Sequence, residues 1–120
     1  MKEENEFTVN SHFEGKDTVV RKIYDELLKT LRNHGPIQES AGRSSIRLVR
    51  DNTLAGVTPR QNYVILTIKS DRLVSSHRIR RTERISPNVY LLKLKLSSPE
   101  DINEELVLWL DHAYKLSAAN

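Results

Sequence analysis

The 120-residue sequence contains no cysteine, which excludes disulfides and thiolate metal sites and fits a reducing compartment. It also lacks a long apolar run: the longest extend four or five residues, against the ~20 that a membrane helix needs. Its first six residues, Met-Lys-Glu-Glu-Asn-Glu, are the opposite of a secretion signal. A cytoplasmic protein with no membrane partner is therefore expected. Glycine is scarce, and the four at positions 15, 35, 42 and 56 do not have the spacing of a phosphate-binding loop. The four histidines, His12, His34, His77 and His112, are scattered, with no second ligand at metal-binding spacing. No metal and no cofactor is expected. Ser75-Ser76-His77 puts hydroxyls beside an imidazole, but sequence adjacency does not make a triad. No catalytic residue is assigned, and a non-enzymatic protein is the leading expectation.

What is present is a pattern of helices and strands at the length of one domain. Residues 1–12 are polar and read as a flexible arm, 13–117 as a single domain, and 118–120 as a frayed end. Asp17 is a candidate helix N-cap. After it, Val20, Ile23, Leu27, Leu28 and Leu31 recur as an amphipathic stripe with Tyr24 beside it, ending at Gly35-Pro36. Short strands are expected near 37–41, 46–50 and 54–57, and clearer ones over 63–69 and 89–96. In the last of these Lys93 and Lys95 alternate with Leu92, Leu94 and Leu96, so one face is buried and one is wet. Ser98, Pro99 and Asp101 then announce a second helix, with Ile102, Leu106, Trp109, Leu110, Ala113 and Leu116 as its stripe. His34 and His112 stand near the two helix ends, where the helix dipole favours a partly positive imidazole. The order α-β-β-β-β-α predicts a two-layer α+β fold, with a mainly antiparallel sheet of four to five strands flanked by the two helices.

Charge is segregated. Residues 41–95 hold 12 Lys/Arg against Asp51, Asp71 and Glu83, a net of +9, while the flanks carry −6. Such a basic region has anionic partners as its natural candidates. Residues 71–87 concentrate Arg72, His77, Arg78, Arg80, Arg81 and Arg84, and arginine forks suit phosphate and carboxylate. With Arg47 these form the candidate nucleic-acid or anion contact, and Lys93 and Lys95 extend it to a basic sheet face. The plainer alternative is a solvated connection salt-bridged to the acidic helices, with long stems covering the sheet. Tyr63 and Tyr90 are the only aromatics within 41–96, which argues against base stacking as the main mode.

Ile23-Tyr24-Asp25-Glu26-Leu27-Leu28, Gly35-Pro36, Ala55-Gly56-Val57 and the stretch 78–85 together resemble a bacterial family catalogued as domain of unknown function 5655. Ser98-Pro99-Glu100-Asp101-Ile102, Glu105-Leu106, Trp109-Leu110 and Ala113-Tyr114 carry the same resemblance. It spans roughly residues 13–117 and implies a shared fold. Members stand alone or end larger proteins, some described as restriction-endonuclease-like or as predicted transport proteins. The resemblance therefore implies a nucleic-acid connection and brings no catalytic residues. Some longer relatives carry zinc-ribbon-like cysteines that this chain lacks.

The leading expectation is a non-enzymatic accessory module that contacts nucleic acid or another anionic partner through its basic middle. An alternative is a protein-interaction domain that meets an acidic surface or a second copy as a homodimer. A further alternative is a ligand pocket between sheet and helices lined by Tyr63, Tyr90 and Trp109, whose aromatics equally suit a core.

Overall fold

In the computed structural model, which describes residues 7–119, two helices cover one face of an antiparallel sheet. Helix α1 (Thr18–Arg32) forms where the stripe predicts it, and Val20, Ile23, Tyr24, Leu27 and Leu31 are fully buried. Asp17 stands at its N-cap, yet its carboxylate makes no capping bond. Instead the Asp17 amide donates to the Gln61 carbonyl at 2.9 Å and ties the helix start to a strand turn. The chain leaves α1 through Gly35 at φ 155°. A Cβ at this glycine would collide with the Tyr114 hydroxyl, so the residue is required by both conformation and close approach.

Six strands follow: β1 (Gln38–Ala41), β2 (Ile46–Val49), β3 (Thr53–Pro59), β4 (Val64–Ser70), β5 (Ile79–Ser86) and β6 (Val89–Leu96), in the order β1-β2-β3-β4-β6-β5. The expected four to five strands fall short by β5, which lies inside the stretch read as a basic connection. The physical reason is its place at the sheet edge. β5 buries neither face, so no apolar alternation marks it, and its strand character comes from backbone pairing with β6. Residues 71–78 carry the chain from β4 past the position of β6 to that edge.

The second helix also differs from expectation. Pro99–Asp101 form a separate 3-10 turn, in which the Asp101 carboxylate accepts the Ser97 and Ser98 amides at 2.7 and 3.1 Å. Helix α2 (Glu104–Leu116) starts afresh at Asn103, whose side chain accepts the Leu106 amide at 3.1 Å. Leu106, Leu110, Ala113 and Tyr114 are its buried stripe, and Trp109 packs against the core in part.

Both helices share one core with Ile46 and Leu48 of β2, Val57 of β3, Val64, Leu66 and Ile68 of β4, and Leu94 and Leu96 of β6. Of the expected arm, residues 1–6 lie outside the described residues. Asn10–Phe13 form a 3-10 turn from which Phe13 packs on the core, while Phe7 is exposed. At the other end the Ala119 amide donates to Asp51 at 2.7 Å, and Asn120 lies outside the described residues. No helix among the described residues is long and apolar enough to cross a membrane.

Candidate anion-binding surface

Because strand side chains alternate, the residues between the buried ones point away from both helices. On β4 these are Ile65, Thr67 and Lys69, and on β6 Leu91, Lys93 and Lys95. Register then fixes their neighbours. Ser40 faces Arg47, Arg47 faces Gly56, Gly56 faces Thr67, Thr67 faces Lys93 and Lys93 faces Arg81. One row of six residues thus crosses the whole sheet on its open face, without an acidic member. At strand spacing, Arg47 and Arg81 stand about 19 Å apart. Gly56 has open space where a Cβ would be. A shallow trough of about 450 Å³ lies there, with Thr67, Lys69, Leu91 and Ile85 among its lining.

One acidic residue, Glu83 opposite Leu91, shares this face with the cations. Among the described residues none of Arg47, Lys69, Arg81, Lys93 and Lys95 makes an ion pair. Arg47 donates to Ser40 Oγ at 3.3 Å, and the Lys95 ammonium sits 4.5 Å from the centre of the Tyr63 ring. Arg81 directly opposite Lys93 is a like-charge cross-strand pair, an arrangement that costs stability unless something anionic lies over it.

The register shift between Ile79 and Arg81 is a bulge that gives Arg80 no partner on β6, and bulges of this kind re-aim side chains. Arg80 lines a polar depression of about 270 Å³ with His77, Arg78, Lys95, Ser97 and Asp101. Of the arginines singled out in the sequence, Arg47, Arg80 and Arg81 therefore join the exposed cationic surface, with His77 at its margin. The other three are tied to other groups. Arg78 donates to the Asp101 carbonyl at 2.6 Å and to Asn103 Oδ1 at 2.9 Å, and lies 3.5 Å from Glu105. Arg84 donates to the Ser86 and Pro87 carbonyls across the β5–β6 turn. Arg72 pairs with Asp71 at 3.0 Å.

The aromatic residues do not converge. Tyr63 lies under Lys95, Tyr90 lies near Arg84 at the sheet edge, and Trp109 lines a cleft on the helix side. His112 and His34 each stand beside a carboxylate rather than only facing helix ends. His112 Nε2 is 2.7 Å from Asp71, and His34 Nδ1 is 3.4 Å from Asp111. Among the described residues no group of three or more His, Asp or Glu is placed to hold a metal. Sequence reasoning missed Lys69, whose alternation with Ile65 and Thr67 was the available signal, and the Asp71–His112 pair, for which no local signal exists.

The family described as domain of unknown function (DUF5655) matches residues 9–117, a span that takes in both helices and all six strands. No curated protein and no solved structure matches the chain.

Proposed function

The chain belongs to the DUF5655 family, and from that footing we propose that it is a binding module whose open sheet face grips the phosphate backbone of nucleic acid. The observation that carries the reading is the acid-free row through Arg47, Lys93 and Arg81, with two like charges held opposite each other. A polyanion laid across the row neutralises that pair and releases counterions, a sequence-independent source of affinity. Lys93 and Lys95 are two residues apart on one strand face, ~7 Å, a step that successive phosphates of a strand can follow. The aromatic beside the Lys95 ammonium is Tyr63, and contacts to phosphate and sugar are expected to outweigh stacking on one ring.

The test is titration of the protein with fluorescent single- and double-stranded oligonucleotides at several salt concentrations. Micromolar affinity that falls steeply with salt is expected. Arg81→Ala with Lys93→Ala should reduce the slope of log affinity against log salt by about 2. Absence of binding at low salt, or an unchanged slope in the double variant, overturns the proposal. Polyglutamate competing as well as the oligonucleotide would favour an acidic protein partner instead.

A further inference from the structure

On the opposite side of the sheet, a cleft of about 390 Å³ opens between α2 and residues 71–78. Its volume falls in the range of small-molecule sites. Ile68 and Leu92 of the sheet, Val74 of the connecting segment, and Leu108 and Trp109 of α2 give it mainly apolar walls. Two features separate it from ordinary core packing. Trp109 is only partly buried although it packs against the core, and Leu108 at the wall is 69% exposed although large and apolar. Leu73, next to Val74, is 68% exposed as well. Apolar side chains left open around a concavity are the usual mark of a binding site.

Arg72 and His112 also line this cleft, and both are held by Asp71. One Asp71 oxygen lies 3.0 Å from Arg72 Nε and 2.7 Å from His112 Nε2. The Nε–H of Arg72 is therefore anchored, while its two terminal nitrogens make no hydrogen bond or ion pair among the described residues. A guanidinium held by its Nε with the outer fork open is oriented for a bidentate carboxylate.

We propose that this cleft binds a small monocarboxylic acid with a flat apolar body, the body lying against Trp109 and Leu108 and the carboxylate on the Arg72 fork. The ligand's charge complements the open Arg72 donors and Lys69 of the lining, while Asp111, its carboxylate, is paired with Lys115 at 3.0 Å. Its apolar part covers surface that α2 and the connecting segment leave exposed. Asp71 acts as the positioning residue, holding Arg72 and His112 at the mouth. The cleft faces away from the Lys93 row, so the two readings stand or fall separately.

Trp109 is the only tryptophan, which makes intrinsic fluorescence a direct reporter. The probe is 4-phenylbutyrate, with 4-phenylbutanamide as its uncharged counterpart. A saturable fluorescence change with the acid, at least about tenfold tighter than with the amide, is expected. Arg72→Gln, at an exposed side chain, should erase that preference and leave amide affinity in place. Amide shifts in a nuclear magnetic resonance titration should localise at Val74 and Leu92 and spare Gly56. Equal affinity for acid and amide, a preference that survives Arg72→Gln, or saturation by an amphipathic peptide alone would each overturn the assignment.

Discussion

Gly56 sits midway along the cationic row with open space above its α-carbon and an ordinary backbone angle. A β-branched residue suits a strand better than glycine, which costs a strand interior roughly 0.5–1 kcal/mol. Gly56→Val is therefore expected to hold or raise the melting temperature while filling the trough and weakening oligonucleotide binding. Thermal melts and the salt titration on the same sample check both halves. Tyr24 makes a different test. Its hydroxyl donates to Glu39 at 2.5 Å, and burial, then the Glu39 bond and charge, push the phenol above its ordinary 10.0. The folded state keeps this proton where the unfolded chain loses it, so the associated stability is full below that ordinary value and declines as pH rises above it. Denaturant melts from neutral to alkaline pH should show Tyr24→Phe with a flatter alkaline decline, at a neutral-pH cost of roughly 1 kcal/mol. Asp71 has the opposite sign. His112 first, and then Arg72, hold its carboxyl below its ordinary 3.8. That contribution is present above the ordinary value, is lost as pH falls below it, and should shrink with added salt because the group is exposed.

At the scale of the element, β5 is held to β6 by backbone pairing and to the segment before α2 by Arg78. Arg78 is 15% exposed and joins the strand's start to Asp101 and Asn103 ahead of α2. Arg78→Ala should cost about 2 kcal/mol and strip hydrogen-exchange protection from β5 before the other strands. Arg80→Ala, at an exposed bulge position, should change stability by less than about 0.5 kcal/mol. Equal losses in the two would remove the distinction drawn between them. The same contrast explains what the sequence could disclose. α1, β4 and β6 were legible because each buries one face, which imposes a period of 3.6 or 2 on its apolar residues. β5 has no buried face to leave such a trace. The break before α2 was hidden for another reason: Ser98 and Asn103 both present capping chemistry, and only the backbone at Ile102, with ψ 76°, shows that the first turn does not continue. Arg47, Lys93 and Lys95 were readable as an outward face from alternation. Their alignment with Arg81 was not, since cross-strand register is set by pairing between distant segments. Nor could composition separate Arg78 from Arg80, because what distinguishes them is a partner 25 residues away.

At the scale of the molecule, the +9 carried by residues 41–95 folds into β2 to β6 and the segment before β5. Part of that charge, at Arg47, Lys69, Arg81, Lys93 and Lys95, gathers on the open face, while Arg50 and Arg78 turn to the helix side. This bears on self-association. Antiparallel pairing of two β5 edges would bring Arg80, Arg81 and Arg84 of each copy together, and charged edge strands resist such pairing. Sedimentation at rising protein concentration is expected to give a constant mass, and a mass that doubles would place a sheet edge in an interface. The route of the chain through the sheet has a consequence in time as well as space. Only Pro87 and Asn88 separate β5 from β6, so these strands can zip as a local hairpin on the order of 1–10 µs. β4 must wait for a wider loop to close before it meets β6. The hairpin that holds Arg81 against Lys93 can thus form ahead of the sheet it borders, with its like charges already opposed, and an anion present at that moment would speed its formation.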